Sequence, residues 1–330
     1  MKLRVGLVGI GPNWDARHRS ALRVLSERFE VRAICEEVAK RADKVAQEFG
    51  ADTVDGYRAL VKRNDLDAIL MLAPQWYGPL PIHAACDAGK AVYCAAMMDL
   101  TSEEAAEVKT RVEEAGIAFM VEFPRRLAPA TLRLKELIAT QLGKPRLLFC
   151  HRRRAFSAGE PSADPAMLRE LIELVDWCSY VVGRTPKSVI SNGRPSTDSG
   201  GYRMMSVDFE ASTEGEDTPL AQISCGDYIP DTWREARTFR LPTGLQVSCE
   251  RGVAFVDLPS TLVWFDEAGR HIESLEDESP VGEQLFGQFH RAVTSLLRST
   301  DDLDKAYVAL QTVLAAEKSR VEGRRVELTD

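Results

Sequence analysis

Short apolar strands alternate with helical segments over the first 123 residues, and this alternation constrains the fold more than any other feature of the sequence. The run AILMLA at 68–73 is too short for a helix and is bounded by Asp67 and Pro74, as a parallel strand buried on both faces would be. Further strands are predicted at 3–9, 31–35, 91–94 and 117–121, and helices near 17–28, 39–49 and 101–115. Repeated strand–helix–strand units predict an α/β domain with a doubly wound parallel sheet over residues 1–123.

The pattern changes after Pro124. Helices are predicted at 130–140 and 166–182, followed by consecutive strands between 187 and 265 and by two helices at 283–298 and 304–322. Turn-like residues occur at Ser191-Asn192-Gly193 and Glu267-Ala268-Gly269. Consecutive strands indicate an antiparallel sheet, so residues 124–330 are predicted to form a second domain of the α+β class.

Charge and composition exclude several functions. The net charge of -8 argues against a nucleic-acid partner, because a phosphate-binding domain is normally basic. No apolar run approaches the roughly 20 residues that a membrane helix needs, and the N-terminal segment is interpreted as a strand and not as a signal peptide. Seven cysteines without a C-x-x-C motif suggest free thiols in a reducing cytoplasm, and the five histidines have no metal-ligand spacing. We therefore expect a cytoplasmic protein that acts on a small molecule. A homodimer or homotetramer is a separate expectation for its assembly.

A glycine-rich turn, Gly9-Ile10-Gly11, lies between the first strand and the first helix. Glycines there allow a tight turn and the close approach of a dinucleotide pyrophosphate. Glu36 ends the second strand, where a carboxylate can bind the adenosine ribose and repel a 2′-phosphate, so NAD is favoured over NADP. Trp14 occupies the usual third glycine position, Pro12 removes one N–H, and the loop is one residue longer than usual, so Ala16 is expected to supply the small packing residue.

The chain resembles the Gfo/Idh/MocA family of glucose–fructose oxidoreductases and inositol dehydrogenases over nearly its whole length. The resemblance rests on Gly9, Gly11, His18 and Ala21-Leu22, on LDAILMLAP and HAACDAGKAVYC, and on PRRLAP, LKELIATQLGKPR, VDWCSYVVGRTPKSV, FHRAV and VEGRRVELT. It implies a Rossmann domain followed by an α+β domain with a large, mainly antiparallel open sheet. It also implies hydride transfer between NAD(P) and a sugar or cyclitol. The cofactor-binding residues are then expected to be Gly9, Gly11, Asn13, Trp14, Glu36, Ala73 and Pro74.

Two family motifs are altered in this sequence. The family's Glu-Lys-Pro turn falls on Ala95, Ala96 and Met97, which the sequence continues with Met98. Its later aspartate, histidine and second aspartate fall on Arg169, Glu173 and Asp176. The usual lysine and histidine are therefore both replaced. We expect Ala95 to Met98 to form an apolar wall beside the nicotinamide. From the resemblance, Arg125 and Arg126, with Arg169 and Asp176, are predicted to bind substrate.

Two residues are candidates for the missing acid–base group. Glu173 occupies the histidine position on the helix at 166–182, where a closed cleft would raise its pKa; the alternative is a solvated pair with Arg169. His151 precedes three arginines, which would depress its pKa and could hold an anionic or polyhydroxy substrate, the alternative being an exposed basic strand end.

Three functions remain open at the level of the sequence. The first is an NAD(P)-dependent oxidoreductase acting on a sugar-like hydroxyl or carbonyl compound, with an atypical acid–base site. The second is a nucleotide-binding family member without dehydrogenase activity, acting as a sensor or partner subunit. A lyase or isomerase with tightly held NAD is the third.

Overall fold

The structure is a computed structural model that describes residues 1–96, 100–156, 164–197, 200–211, 213, 217–239, 244–295 and 301–328. The chain divides into two compact units. The first contains Met1–Pro124 and Ser279–Tyr307, and the second contains Arg125–Glu278 and Val308–Asp330. No helix in the described ranges is both long enough and apolar enough to cross a membrane.

The first unit contains a six-stranded sheet and the helices that follow its strands. The strands are β1 (Leu3–Val8), β2 (Phe29–Cys35), β3 (Asp52–Thr53), β4 (Ala68–Met71), β5 (Ala91–Cys94) and β6 (Phe119–Val121). The helices in this part of the chain are α1 (Arg19–Val24), α2 (Ala39–Phe49), α3 (Tyr57–Val61), α4 (Pro74–Tyr77), α5 (Leu80–Asp87) and α6 (Ser102–Ala115).

All six strands pair in parallel, in the order β3-β2-β1-β4-β5-β6. Every residue of β4 and β5 is buried, as expected for strands covered on both faces. The strand order reverses direction between β1 and β4, and ligands of such sheets bind outside the carboxyl ends of the strands at that point. The predicted doubly wound parallel sheet is confirmed.

The first helical segment differs from the prediction. It begins with a π-helical turn at Trp14–His18 and continues as α1, which ends at Val24. Such a turn accommodates one additional residue, which accounts for the lengthened loop. Ala16 is exposed, so its predicted packing role is wrong; Trp14 is buried instead, with its ring 5.8 Å from that of Phe49.

The second unit contains a nine-stranded sheet. Its strands are β7 (Pro145–Phe156), β8 (Pro186–Thr197), β9 (Gly200–Phe209), β10 (Leu220–Pro230), β11 (Leu245–Cys249), β12 (Gly252–Asp257), β13 (Thr261–Asp266), β14 (Gly269–Ser274) and β15 (Val326–Glu327). The helices are α7 (Pro129–Leu137), which continues as a π-helical turn at Ile138–Leu142, α8 (Asp164–Val182) and α9 (Arg234–Thr238). Helix α10 (Val281–Thr294) belongs to the first unit. Helix α11 (Asp301–Glu322) begins in the part of the chain assigned to the first unit and ends in the part assigned to the second.

The nine-stranded sheet has the order β14-β13-β12-β11-β7-β10-β9-β8-β15. Only the β7–β10 pair is parallel among the pairs of the described strands, and the other pairs are antiparallel. The expected large and mainly antiparallel sheet is therefore confirmed. Because β7 and β10 run in the same direction, their carboxyl ends lie at the same edge of the sheet.

One predicted turn is wrong. Ser191, Asn192 and Gly193 lie inside β8, where Gly193 pairs with Arg203 of β9. A Cβ atom on Gly193 would overlap the carbonyl oxygen of Tyr202. The glycine therefore permits the close approach of two strands. In the sequence, a glycine with this role cannot be distinguished from a glycine in a turn. The predicted turn at 267–269 does connect β13 to β14.

The sequence suggested a single boundary, with an uninterrupted second domain at 124–330. In the structure, residues 279–307 belong to the first unit instead. Helix α10 packs its aromatic side chains within the first unit: the ring of Phe286 lies 4.9 Å from that of Tyr93 and 5.6 Å from that of Phe29, and the ring of Phe289 lies 5.5 Å from Tyr93. Burial of these aromatic surfaces accounts for the return of residues 279–307 to the first unit.

Candidate functional site

The glycine-rich loop lies at the carboxyl end of β1, against the turn that follows β4. Gly9 has φ +72°, a conformation that favours glycine, and a Cβ atom on Gly11 would overlap the carbonyl oxygen of Leu72. Ala73 is buried and Pro74 begins α4. A Cβ atom on Gly9 would lie only 2.6 Å from the Cβ atom of Ala73. Ala73, one of the predicted cofactor residues, therefore shapes the loop through packing.

Backbone groups of the loop remain available for a ligand. Among the described residues, the amide N–H groups of Gly11 and Asn13 donate no hydrogen bond to protein. The carbonyl of Asn13 accepts from Arg17 N at 2.9 Å, and that of Gly11 accepts from Trp14 N at 3.2 Å. Because the Trp14 side chain is only 4% exposed, its predicted contact with a nucleotide is restricted to its backbone. Two free amides at a strand-to-helix turn suit a pyrophosphate oxygen.

Glu36 is fixed at the end of β2 by this loop. Its Oε2 accepts from the backbone N–H of Ile10 at 2.6 Å, and Oε1 lies 3.4 Å from Val38 N. The side chain is half-buried. One carboxylate oxygen is thus held by the loop while the other has only a long contact, so a ribose hydroxyl fits there better than a phosphate.

A buried carboxylate that the sequence analysis did not identify lies at the end of β6. Glu122 is 1% exposed; its Oε2 accepts from the hydroxyl of Tyr93 and contacts Nε2 of His18, both at 2.8 Å, and its Oε1 pairs with Arg17. Burial, aided by the charge of Arg17, lowers the pKa of His18 to about 3. His18 is therefore a neutral, buried residue of the core. The glutamate inside the apolar segment FMVEF was the signal in the sequence.

The turn after β5 carries no titratable side chain in its described part. Ala95 is buried and Ala96 is half-buried. Cys94, at the end of the strand, donates from Sγ to the carbonyl of Ala96 at 3.1 Å, and burial raises its pKa to about 12. Met97 and Met98 lie outside the described residues, so the predicted apolar wall stays a prediction.

The second unit holds a cluster of charged side chains around the N-terminal half of α8. Arg125 donates from Nη2 to Oε1 of Glu170 at 2.5 Å and from Nη1 to Glu173. The same oxygen of Glu170 accepts from Nε of Arg152 at 2.8 Å. Glu170 was missed in the sequence, although it precedes Glu173 by one helical turn.

The pairing with Arg125 changes the interpretation of Glu173. Burial lowers the pKa of the Arg125 guanidinium, but the negative charges of Glu173 and Glu170 outweigh that effect, and its pKa is raised. A guanidinium that stays charged favours the charged form of the Glu173 carboxylate with which it pairs. The expected effect of a closed cleft, which favours the protonated form, is therefore opposed at Glu173.

Two predicted substrate residues bind each other. Both carboxylate oxygens of Asp176 accept from Arg126, with 2.7 Å between Nε and Oδ2. Asp176 is 1% exposed and Arg126 is 7% exposed. Asp176 is buried in spite of its charge because the arginine partner compensates the cost of burying it. Arg169 is half-exposed, and its role in binding substrate stays a prediction.

The structure does not bring His151 and Glu173 together. His151 lies inside β7 and not after it, and its neighbour Cys150 faces α8, with its Sγ 3.4 Å from that of Cys178. Alternate side chains of a strand point to opposite faces, so His151 faces away from α8. Its Nδ1 lies 2.7 Å from Ser224 Oγ and its Nε2 3.1 Å from Tyr228 OH.

The pKa of His151 is lowered, as predicted, but by a different main cause. Burial has the largest effect, and the charge of Arg153 adds to it. The three neighbouring arginines were expected to be the cause. No group of three potential metal ligands occurs in the part of the chain that the structure describes.

Comparison with known proteins identifies the nucleotide-binding part. A family model, GFO_IDH_MocA, described as "Oxidoreductase family, NAD-binding Rossmann fold", matches residues 3–123. D-xylose 1-dehydrogenase (NADP(+)) 2 of Haloferax volcanii is 35% identical over 121 residues, which cover 36% of this chain and 37% of the relative. Inositol 2-dehydrogenase/D-chiro-inositol 3-dehydrogenase of Shouchella clausii is 29% identical over 193 residues, 55% of this chain and 54% of that protein. The chain thus spans about a third to a half of these relatives.

Solved structures resemble the whole chain. An NAD binding oxidoreductase from Klebsiella pneumoniae matches over 100% of both chains with a TM-score of 0.83 and 17% identity. An aldose-aldose oxidoreductase from Caulobacter crescentus matches over 99% of this chain and 100% of the other with a TM-score of 0.80 and 14% identity. At these identities the likeness shows the fold alone. Together, the comparisons show that residues 3–123 match the NAD-binding Rossmann fold of this oxidoreductase family and that the whole chain is similar in fold to solved oxidoreductase structures.

Proposed function

We propose that the protein is an NAD-dependent oxidoreductase that transfers a hydride to or from a hydroxyl or carbonyl carbon of a sugar-like or cyclitol-like compound. The observation that carries the proposal is the loop at Gly9–Gly11 together with Glu36, which accepts from the N–H of Ile10 at 2.6 Å. The relatives act on xylose and inositol by name, which supports a polyhydroxy substrate.

The residues of the loop fit a dinucleotide. The free N–H groups of Gly11 and Asn13 would bind the pyrophosphate, and the carboxylate of Glu36 would accept from a ribose hydroxyl. Its negative charge would oppose the 2′-phosphate of NADP, although one relative uses NADP by name. When bound, the nicotinamide supplies or accepts the hydride.

The proton of the reacting hydroxyl needs a separate group, because Ala95 and Ala96 carry none. We infer that Glu173 serves as this base, since it occupies the position of the family's histidine. Arg125 would keep Glu173 ionised and oriented through their ion pair. An ionised carboxylate can accept a proton in alcohol oxidation, whereas it is a poor donor for carbonyl reduction, so this geometry favours oxidation.

A thermal-shift assay with NAD, NADH, NADP and NADPH tests the nucleotide site. Saturation at about 100 times the dissociation constant should stabilise the folded protein by about 2.7 kcal/mol. The absence of an upward shift with all four nucleotides would contradict the proposal. Turnover is then assayed by the absorbance of NADH with a panel of aldoses, polyols and cyclitols.

A nucleotide-binding protein without dehydrogenase activity is the second candidate. The pairing of Glu173 with Arg125 favours it, because a carboxylate whose charge is compensated is a weaker base. This candidate predicts binding of NAD without turnover of any compound in the panel.

We also propose that the protein forms a homodimer or homotetramer through the face of the nine-stranded sheet that points away from α8. Phe149, Ile190 and Met204 are 39%, 41% and 54% exposed on this face. They line a depression of about 600 Å³ together with His151, Asn192 and Ser224. An extended apolar surface of this kind is typical of subunit interfaces. Light scattering that gives the mass of a monomer would contradict this assignment.

A further inference from the structure

Four charged side chains form two pairs near the point where the parallel strands β7 and β10 end. Arg154 pairs in register with Asp227, and Arg152 pairs with Cys225. Nε of Arg154 lies 3.1 Å from Oδ1 of Asp227. Arg152 reaches the helix instead, where its Nε donates to Oε1 of Glu170 at 2.8 Å. The two arginines thus have the same position relative to the sheet but different partners.

Arg152 differs from Arg125 in how many of its guanidinium N–H groups donate to the protein. Among the described residues, its Nη1 and Nη2 donate to no acceptor, and its side chain is 50% exposed. Arg125, by contrast, donates to both Glu170 and Glu173 and is only 13% exposed. Arg152 therefore presents two N–H₂ groups to solvent, while the bond at Nε fixes the orientation of its guanidinium plane.

The guanidinium of Arg152 shares its carboxylate partner with Arg125. One oxygen, Oε1 of Glu170, accepts from both Arg125 and Arg152. Arg125 also pairs with Glu173, so two carboxylates face two guanidinium groups, but the terminal N–H₂ groups of Arg152 still have no acceptor among the described residues. A planar, pre-oriented guanidinium with free terminal groups matches the two oxygens of a carboxylate or phosphate.

We propose that Arg152 binds an oxyanion of the substrate, so that the compound on which the protein acts is an acidic sugar derivative, a sugar carboxylate or a sugar phosphate. The identification of the ligand as a substrate rests on the proposed function, whereas the oxyanion site does not. Glu170 is the positioning residue of this site, since it acts on the ligand only through Arg152.

The test is calorimetric titration of the full-length protein at constant ionic strength, with and without saturating NAD. The probes are D-glucuronate, D-glucose 6-phosphate and neutral D-glucose, with acetate and inorganic phosphate as minimal anions. The variants are Arg152→Gln and, as a control, Arg146→Gln, which removes an exposed arginine of the same strand.

At least one anionic probe should bind wild type and the Arg146→Gln variant more tightly than D-glucose does. Its dissociation constant should rise by about tenfold or more in Arg152→Gln, because a charge-assisted bidentate contact is lost. Preference for glucuronate or acetate identifies a carboxylate ligand, and preference for the phosphates identifies a phosphate ligand. Arg152→Lys keeps the charge but not the planar fork and should recover only part of the affinity.

Equal binding of all anions to wild type and Arg152→Gln, or no anion binding to wild type, would overturn the proposal. A protein that binds no nucleotide would not by itself overturn the proposal, because the anion titrations without NAD report on Arg152 independently. Conversely, anion binding by a protein that fails to bind any dinucleotide would contradict the proposed oxidoreductase function and leave the oxyanion site in place.

Discussion

Replacing Glu36 with glutamine should change the choice between NAD and NADP. The substitution removes the negative charge but keeps an oxygen that can accept from the N–H of Ile10, a bond of 2.6 Å in the wild-type structure. The loop should therefore retain its conformation. Any change in nucleotide preference then reports on the charge of the side chain and not on a rearranged loop.

The magnitude follows from the position of the carboxylate. Two unit charges about 4 Å apart interact by about 1 kcal/mol in water and by about 4 kcal/mol near a protein surface of lower effective dielectric constant. Glu36 is half-buried, so repulsion of a 2′-phosphate should amount to about 2 kcal/mol. Removing it should increase NADP affinity by about 30-fold, since 1.4 kcal/mol corresponds to a factor of ten. NAD affinity should change only slightly.

Calorimetric titration of NAD and NADP into wild type and Glu36→Gln measures this ratio. Glu37→Gln is the matched control, because Glu37 is the adjacent glutamate, carries the same charge and is exposed. The difference between wild type and Glu36→Gln should shrink as salt is added, since screening weakens exposed charges. The reasoning fails if wild type binds NADP as tightly as NAD, or if Glu37→Gln alters the ratio as much as Glu36→Gln.

Further predictions concern stability, acid–base chemistry and assembly. Glu122→Ala should lower the unfolding free energy by about 3–5 kcal/mol in urea titrations, because it leaves buried polar groups without a partner; additivity with Tyr93→Phe would contradict their coupling. The folded-state pKa of His18 is lowered from 6.5 to about 3, so the unfolded state binds more protons between these values. The unfolding free energy should therefore decrease as pH falls from 6.5, and a His18→Gln variant should show a weaker dependence. Once a substrate is found, Glu173→Gln should reduce turnover by about 10²–10⁴-fold without changing NAD affinity; unchanged turnover would exclude Glu173 as the base. Met204→Glu should convert the oligomer to a monomer in light scattering if the open sheet face is the interface.

The sequence alone determined the parts of this protein that depend on local pattern. Short apolar runs separated by helical periods predicted the parallel sheet, because strands buried on both faces have no polar alternation. The glycines at positions 9 and 11 and the carboxylate at position 36 could be assigned to a strand–turn–helix unit by their spacing. Thr101 and Glu104 form a capping box at the start of α6, a feature that depends only on residues close together in the sequence.

Tertiary structure decided which side chains meet, since that depends on residues far apart in the sequence. Asp176 is a buried partner of Arg126, 50 positions away, and Glu170 links Arg125 to Arg152. The periodicity of a helix does not predict these contacts. A buried charge is tolerated only where a partner from another element compensates it.

The faces of β7 and the extent of the first unit were also decided by long-range packing. His151 and Arg152 are neighbours in sequence, yet the strand turns them to opposite faces of the sheet. The contacts of Cys150 with Cys178 and of Arg152 with Glu170 show which face meets α8. Helix α10 belongs with the first unit because its aromatic side chains pack on Tyr93 and Phe29. Both residues lie far before the helix in the sequence. A sequence shows that such a helix is amphipathic, whereas the surface that it covers is set by the three-dimensional arrangement of the rest of the chain.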